Sequence, residues 1–503
     1  MGINLSNGLV KKFGKKVSRL FGGSDEEAHL ALDLVEPGTD QDIKESIKEK
    51  KTKTLPEGIT SRMLYRDIAR IAWPSFVELT LTQLASMVDM MMVGQLGAYA
   101  IAGVGLTNQP KFLLMTMFMA MNVGTTALVA RYRGAGEDEK GNNILRQSLL
   151  LTFVFSAIAS IIGYIYSESL VKFMGAADAE TLAAGTVYLK IQMVGFVSMA
   201  LTSTITAALR GIGDSRTAMI YNLTANAVNV VFNYLLINGH FGFPRLEVAG
   251  ASLATILGQF VAFGMALRAI MRKDQSLHLD IREGFRPDWQ AMKSIFNIGI
   301  PAMLEQLVMR TGMIIYNKTV ASLGTVAFAT HNVSMNIQAM SFMNGQAFSV
   351  SATSLVGQSL GKKRADMANA YASRTRRVAM TVSLFLGLIF FFFGRNIVGL
   401  YTSDAEVIAQ GGQILMLVAL IQPFQSSQFI LTGVLRGAGD TKATAVIIFL
   451  TVLLVRPGLA IFNINVLGLG LIGAWIALAL DQMLRSFLVL LRYNSGKWKG
   501  IRV

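Results

Sequence analysis

Two acidic side chains lie at helical spacing inside an apolar stretch near residue 80. Glu78, Thr82, Ala85 and Asp89 are separated by four, three and four residues. In an α-helix, eleven residues bring Asp89 back to within about 20° of Glu78 and about 16 Å further along the axis. Because a carboxylate in apolar surroundings takes up a proton or pairs with a cation, this helix face is a candidate ion site.

A row of four asparagines repeats the same spacing further along the chain: Asn222, Asn226, Asn229 and Asn233. Amides away from water need hydrogen-bond partners. The row therefore either lines a hydrated cavity or forms a hydrogen-bonded seam between two helices. Asp89 together with one or two of these amides would make a cation or proton site.

The chain around these groups has the composition of a membrane protein. Of its 503 residues, 52% are hydrophobic and 15% are charged, against about 25% charged in an ordinary soluble domain. A helix needs about 20 apolar residues to cross a bilayer. We predict an all-α polytopic membrane protein whose twelve transmembrane helices lie near residues 71–94, 99–130, 147–167, 180–208, 218–237, 247–270, 295–317, 325–356, 378–401, 406–434, 443–462 and 471–491.

The distribution of Lys and Arg predicts the orientation of these helices. Of the 46 basic residues, 37 fall in the two terminal segments and the loops on one side, and five, Lys111 among them, fall in the loops on the other side. Cytoplasmic loops collect basic residues. We therefore predict a multi-pass protein of the cell (inner) membrane with both termini in the cytoplasm. The same rule accounts for the net charge of +15 without a nucleic-acid partner.

Four segments follow from this reading. Residues 1–66 form a cytoplasmic N-terminal extension, 67–275 an N-lobe with helices 1–6, 276–294 a cytoplasmic linker, and 295–503 a C-lobe with helices 7–12 and a short basic tail. Within the extension, residues 3–21 place apolar and basic side chains on opposite faces. This pattern predicts an amphipathic helix on an anionic leaflet, with a disordered tail as the alternative.

The chain also contains an internal repeat. Residues 71–97 align with 298–324, so that Pro74 matches Pro301 and Glu78 matches Glu305, and 209–215 align with 435–441. Each unit holds six helices, which predicts two lobes related by a parallel pseudo-two-fold axis. Asp89 aligns with Tyr316, so the second unit lacks that carboxylate.

Several kinds of chemistry find no support in the sequence. It contains no cysteine, four histidines without a clustered pair, and no ATP-binding P-loop motif. These absences argue against thiol catalysis, a metal site and ATP hydrolysis. We predict no catalytic residues, no enzyme activity and no cofactor. Repeats of this kind are common in secondary transporters, and a transporter without an ATP-binding motif would use an ion gradient or transport its substrate downhill.

Four short segments resemble the multidrug and toxic compound extrusion (MATE) family: 88–97, 209–214, 248–254 and 355–358. Their order extends the resemblance over about residues 67–492. It implies a V-shaped antiporter in which a first-helix Asp, here Asp89, is the coupling site. Fifth-helix polar positions of the family map to Asn229 and Asn233, and Asn233 stands where relatives often carry a second Asp.

Four further residues are candidates for an accessory role: Glu78, Asn226, Glu305 and Tyr316. Glu78 and Glu305 each follow a proline by four residues, so they either couple ions or hold the helix kink. Glu305 only loosely resembles the C-lobe glutamate on which another branch of the family relies.

The predicted function is secondary active export of cationic or amphipathic organic compounds in exchange for H⁺ or Na⁺. The protein would work by alternating access as a monomer. A lipid-linked oligosaccharide flippase of the same superfamily is the rival prediction. It would need a strongly cationic cavity for pyrophosphate, and the basic residues that we predict within spans are few: Lys190, Arg310, Arg456 and Arg485.

Overall fold

A computed structural model describes residues 59–176, 178–272, 277–280 and 284–501. Within these residues the chain forms twelve long helices. They are α1 Ser61–Gly94, α2 Ala98–Ala135, α3 Asp138–Ile165, α4 Ala179–Gly211, α5 Ser215–Asn238, α6 Glu247–Ile270, α7 Trp289–Ala321, α8 Thr325–Gly361, α9 Ala365–Gly399, α10 Ala405–Gly437, α11 Thr441–Asn465 and α12 Gly470–Asn494. Short helices occupy Ser167–Phe173, His240–Gly242 and Lys497–Gly500.

Among the described residues, eleven of these helices are long and apolar enough to cross a membrane. The chain is therefore a multi-pass membrane protein whose described part is all-helical, as the composition predicts. The remaining long helix is α8, which covers 37 residues. Its mean hydropathy is lowered by His331, Asn332, Asn336 and Gln338.

Local sequence explains where the helices begin. A side-chain oxygen at an N-cap accepts one of the backbone N–H groups that a first helical turn leaves without a partner. Such caps precede α1, α4, α5, α7 and α10, and the residues are Thr60, Asp178, Asp214, Asp288 and Asp404. The cap at Thr60 starts α1 about three turns before its apolar stretch.

The aligned units share local conformation. Gly97 and Gly324, which match each other in the repeat, both have positive φ and precede α2 and α8. Gly213 and Gly439 form a second such pair, at the turns after α4 and α10. Glycine adopts this left-handed backbone without a steric penalty.

The helix α11 contains a local irregularity at its centre. Residues Phe449–Val455 form a π-helical turn directly before Arg456 and Pro457. Proline has no N–H to donate to the helix ladder, so the hydrogen-bond register shifts at this point. The shift accompanies the burial of Arg456 against α12.

The helices pack as two groups in chain order. In the first half, α4 packs against α2, α3 and α6, while α5 packs against α1 and α6. In the second half, α10 packs against α8, α9 and α12, while α11 packs against α7 and α12. Contacts between the halves are made mainly by α2 against α7 and α8 and by α1 against α8.

Hydrogen bonds between the halves gather at the end of the molecule where α1 begins. Ser351 donates to the backbone oxygen of Ile68, and Gln358 donates to that of Gly211 at 2.9 Å. Tyr371 donates to the Asp67 carboxylate at 2.7 Å. Towards its other end, by contrast, α1 exposes most side chains between residues 81 and 88.

Two predicted segments, the N-terminal extension and the linker between the lobes, are described to different extents by the structure. The amphipathic helix expected at residues 3–21 lies outside the described residues. The linker expected at 276–294 ends within α7, whose first residue is Trp289. Just before it, Asp288 accepts a hydrogen bond from the Asn143 amide in α3 at 2.7 Å, which ties the linker to the first half.

Candidate functional site

The two polar rows face each other across α1 and α5. Both helices run in the same direction with the same 4-3-4 spacing, so side chains that are 144 residues apart meet in register. Three hydrogen bonds connect the rows, from Asn222 to Glu78 at 2.7 Å, from Asn226 to Thr82 at 2.9 Å and from Asn233 to Asp89 at 2.5 Å. The row of asparagines is thus largely a seam between two helices.

The Asp89 end of this seam branches into a third helix. The Asn233 amide donates to the Asn229 side-chain oxygen at 3.3 Å as well as to Asp89. Asn229 in turn donates to the Thr255 hydroxyl of α6 at 3.0 Å. The structure therefore brings together all three residues that were predicted for the coupling site, Asp89, Asn229 and Asn233.

Oxygen atoms suited to a small cation collect at this point. Asn233 is completely buried, and its side-chain oxygen has no hydrogen-bond partner among the described residues. The half-buried Asp89 carboxylate lies beside it. Carboxylate, amide and hydroxyl oxygens are the ligands that hard cations prefer, and the carboxylate can alternatively take a proton. We call Asp89, Asn229, Asn233 and Thr255 the Asp89 site.

Sequence reasoning missed one member of this site. Thr255 follows directly after 248–254, a segment that we used for the family resemblance, but it belongs to no polar row of its own. Its role depends on where α6 packs against α5. No spacing rule within one helix supplies that information.

The two glutamates at equivalent positions of the repeat form equivalent ion pairs. Glu78 accepts from Arg210 at 2.8 Å, and Glu305 accepts from Arg436 and from the Thr444 hydroxyl. Both arginines come from the repeated Leu-Arg-Gly-x-Gly-Asp segment. Both glutamates therefore connect helices of their own half, which favours the structural alternative for them.

The other accessory candidates lie apart from Asp89. Asn226 reaches only as far as Thr82. Tyr316 is buried in the second half, edge-on to His331, and its hydroxyl has no partner among the described residues. The structure thus does not bring Tyr316 into the Asp89 site.

Lys111 was predicted to lie in an outer loop, and that prediction is wrong. The residue lies within α2, where its ammonium group donates to the Gln192 side chain of α4 at 3.0 Å. The guanidinium of Arg310 in α7 lies over the ring of the neighbouring Phe112, 3.4 Å from the ring centroid. Lys111 lies inside the span that we predict near residues 99–130, so it does not belong in the count of loop charges. A long side chain that finds a polar partner can stay within the membrane.

A compact charge cluster holds α11 to α12. Asp481 is completely buried and accepts from Arg456 at 2.6 Å and from Arg485 at 2.5 Å. Arg456 and Arg485, two of the basic residues that we predict within spans, thus share one carboxylate. A buried carboxylate is stable only when it is paired, so this cluster is a packing element of the second half.

No group of three or more His, Cys, Asp or Glu side chains in the described part of the chain could hold a metal ion. The Asp89 site contains a single carboxylate. One carboxylate beside amide and hydroxyl oxygens is a set of groups that suits a proton or a small monovalent cation. A multi-pass helical protein with such polar groups between its helices resembles the class of membrane transporters.

Comparison with known proteins identifies the family within that class. A family model described as MatE matches residues 74–235 and, a second time, residues 301–462. The two matches cover more than half of the chain, so the chain belongs to the MATE family of efflux transporters. They begin at Pro74 and Pro301, the positions that align in the internal repeat.

Full-length relatives agree with this assignment. The chain is 29% identical to "Probable multidrug resistance protein NorM" of Thermotoga maritima over 86% of its own length and 93% of that protein. It is 26% identical to "Multidrug resistance protein MdtK" of Yersinia pestis over 85% of its length and 94% of that protein. A solved MOP superfamily transporter from Pyrococcus furiosus has the same fold, with a TM-score of 0.80, 22% identity and coverage of 87% of this chain and 97% of that chain.

Proposed function

We propose that this protein is a secondary active exporter of cationic or amphipathic organic compounds that exchanges them for H⁺ or Na⁺ at the Asp89 site. The observation that carries the proposal is the hydrogen bond of the buried Asn233 amide to the Asp89 carboxylate at 2.5 Å. It supports a carboxylate held in position for an ion, next to an unpaired amide oxygen. The family relation supports transport of small organic compounds.

The architecture that we propose has twelve transmembrane helices, with α8 as one of them, in two six-helix lobes. Packing within α1–α6 and within α7–α12 supports this division. Both termini would lie in the cytoplasm of a cell-membrane protein that works as a monomer, with the N-terminal segment on the anionic leaflet. The end where α1 begins is then the cytoplasmic end, and the hydrogen bonds between the halves close it.

The cycle that we propose uses alternating access. In the inward-open state the cleft binds substrate from the cytoplasm. In the outward-open state Asp89, near the outer end of α1, captures H⁺ or Na⁺ and drives release of the substrate. A bound ion neutralises the carboxylate and removes its attraction for an organic cation, so that ion and substrate compete.

The test is ethidium accumulation in pump-deficient bacteria that express wild type or Asp89→Asn at equal membrane levels. Wild type should lower accumulation, and Asp89→Asn should return it to the level of empty cells, because an amide cannot exchange a proton. Glu168→Gln is the control, since it removes a carboxylate that is exposed outside the spans. Normal efflux by Asp89→Asn would refute the assignment of the coupling site.

A lipid-linked oligosaccharide flippase is the second candidate, and one observation favours it. Lys111 and Arg310 lie within helices, and neither forms an ion pair with a carboxylate among the described residues. Two such cations could receive a pyrophosphate group. Two results together would select this candidate. Cells that express wild type would accumulate as much ethidium as empty cells, and the wild-type protein reconstituted in vesicles would move a lipid-linked pyrophosphate across the bilayer.

A further inference from the structure

A cavity of about 320 Å³ lies away from the Asp89 site, between α9, α10 and α12. Its lining combines two arginines with small, apolar and hydroxyl-bearing side chains: Ala372, Ser373, Arg376, Arg377, Met380, Leu431 and Tyr493. We call this cavity the arginine pocket. Its volume is at the lower end of the range for small-ligand sites, which suits a head group better than a large drug.

The two arginines of the pocket carry charge that no carboxylate of the described residues neutralises. Arg376 donates its Nε to the Ser427 hydroxyl at 2.8 Å. Neither Arg376 nor Arg377 forms an ion pair with a carboxylate in the described part of the chain. By contrast, Arg492 of α12 is paired with Asp440 at 2.8 Å. Two guanidinium groups that share a cavity without an acid provide a site for an anion.

The position of the pocket along α9 places it at a membrane surface. Arg374, Arg376 and Arg377 directly precede the apolar run that begins at Val378. Tyr493 stacks on Trp498 with ring centroids 5.5 Å apart. Basic residues at the edge of an apolar run, together with stacked Tyr and Trp rings, are typical of the layer where lipid head groups lie.

We propose that the arginine pocket binds the phosphate group of an anionic phospholipid from the leaflet on that side. The guanidinium groups would receive the phosphate oxygens, Ser373 could donate to the head group, and Met380 and Leu431 would contact the first carbons of the lipid. Basic pockets between membrane helices bind anionic head groups in this manner. The proposal does not depend on the substrate or on the coupling ion.

The test uses the full chain, purified in neutral detergent, delipidated and titrated with phosphatidylglycerol or phosphatidylcholine, with bound lipid counted by native mass spectrometry. Wild type should prefer phosphatidylglycerol. Arg376→Gln should weaken that binding about fivefold, and Arg376→Gln with Arg377→Gln about 25-fold, since each basic residue near a surface attracts an anionic lipid by about that factor. Arg376→Lys should retain most of the affinity.

Controls separate the pocket from general charge and from misfolding. Arg395→Gln makes the same substitution at an exposed position nearer the other end of α9, and it should leave phosphatidylglycerol binding unchanged. Each variant should remain monodisperse and bind phosphatidylcholine as wild type does. Equal affinity of wild type for both lipids, or unchanged binding in the double variant, would overturn the proposal. Displacement of phosphatidylglycerol by inorganic phosphate at equal concentration would also overturn the proposal, because the pocket would then be a site for free phosphate.

Discussion

At the scale of single residues, the two halves use one ion pair twice. Glu78 with Arg210 and Glu305 with Arg436 join equivalent helices, and both glutamates are buried. In each pair the guanidinium lies beside the carboxylate and supplies the counter-charge that a buried acid needs. Glu78 and Asp89 lie on the same helix face, yet the one is paired with a cation and the other with an amide.

Removing one partner of such a pair should destabilise the protein without abolishing ion coupling. We expect Glu78→Gln to cost about 3 kcal/mol, because Arg210 is left partly buried without its counter-charge. The measurement is the thermal unfolding of the purified variant. The double variant with Glu78→Gln and Arg210→Gln should recover part of the lost stability. A double variant that loses more stability than the two single variants lose together would contradict the pairing.

At the scale of elements, one aspartate positions the start of the second half. Asp288 caps α7 by accepting from the backbone N–H groups of Gln290 and Ala291, and it accepts from Asn143 of α3. The Gln147 amide of α3 also donates to the backbone oxygen of Arg286 at 2.8 Å. These bonds hold the linker against the first half, so α7 begins at a defined place relative to α3.

We expect Asp288→Ala to lower the melting temperature at neutral pH, with a loss of more than the roughly 1 kcal/mol of an ordinary cap. Asp404→Ala is the matched control, since Asp404 caps α10 in the same way. A smaller loss for Asp288→Ala than for Asp404→Ala would show that the contact with Asn143 contributes nothing.

The stability that Asp288 contributes should depend on pH. The backbone N–H of Ala291 and the Asn143 amide lower the pKa of Asp288 below its ordinary value of 3.8. A lowered folded-state pKa adds stability above the ordinary pKa, and that stability is lost as the pH falls through the lowered value. The difference in melting temperature between wild type and Asp288→Ala should therefore stay constant from about pH 8 to about pH 5 and shrink below about pH 4.

At the scale of the whole molecule, the two halves touch closely at one end. A Cβ atom placed on Gly357 of α8 would lie 2.8 Å from the Cβ of Ala130 in α2. Such small residues let the helix backbones approach each other. If the halves exchange access between the two sides of the membrane, this contact must open in every cycle.

The absence of cysteine from the chain makes that motion testable. We expect Ala130→Cys with Gly357→Cys to form a disulfide in membranes after a shift of about 1 Å. Oxidation should stop ethidium efflux, and a reductant should restore it. Gly103→Cys with Ala184→Cys, whose Cβ atoms would lie 3.1 Å apart within the first half, should cross-link without loss of efflux. Full efflux by the completely cross-linked first pair would contradict alternating access at this contact.

The sequence alone determined the features that depend on one helix at a time. Apolar length gave the helices, and 4-3-4 spacing put Glu78 and Asp89 on one face because an α-helix has a fixed period. The tertiary structure decided which helix each face meets. It paired Asn233 with Asp89, added Thr255 to the site and moved Lys111 from a loop into α2. Contacts between helices depend on packing over long sequence separations, and no pattern within a single helix carries that information.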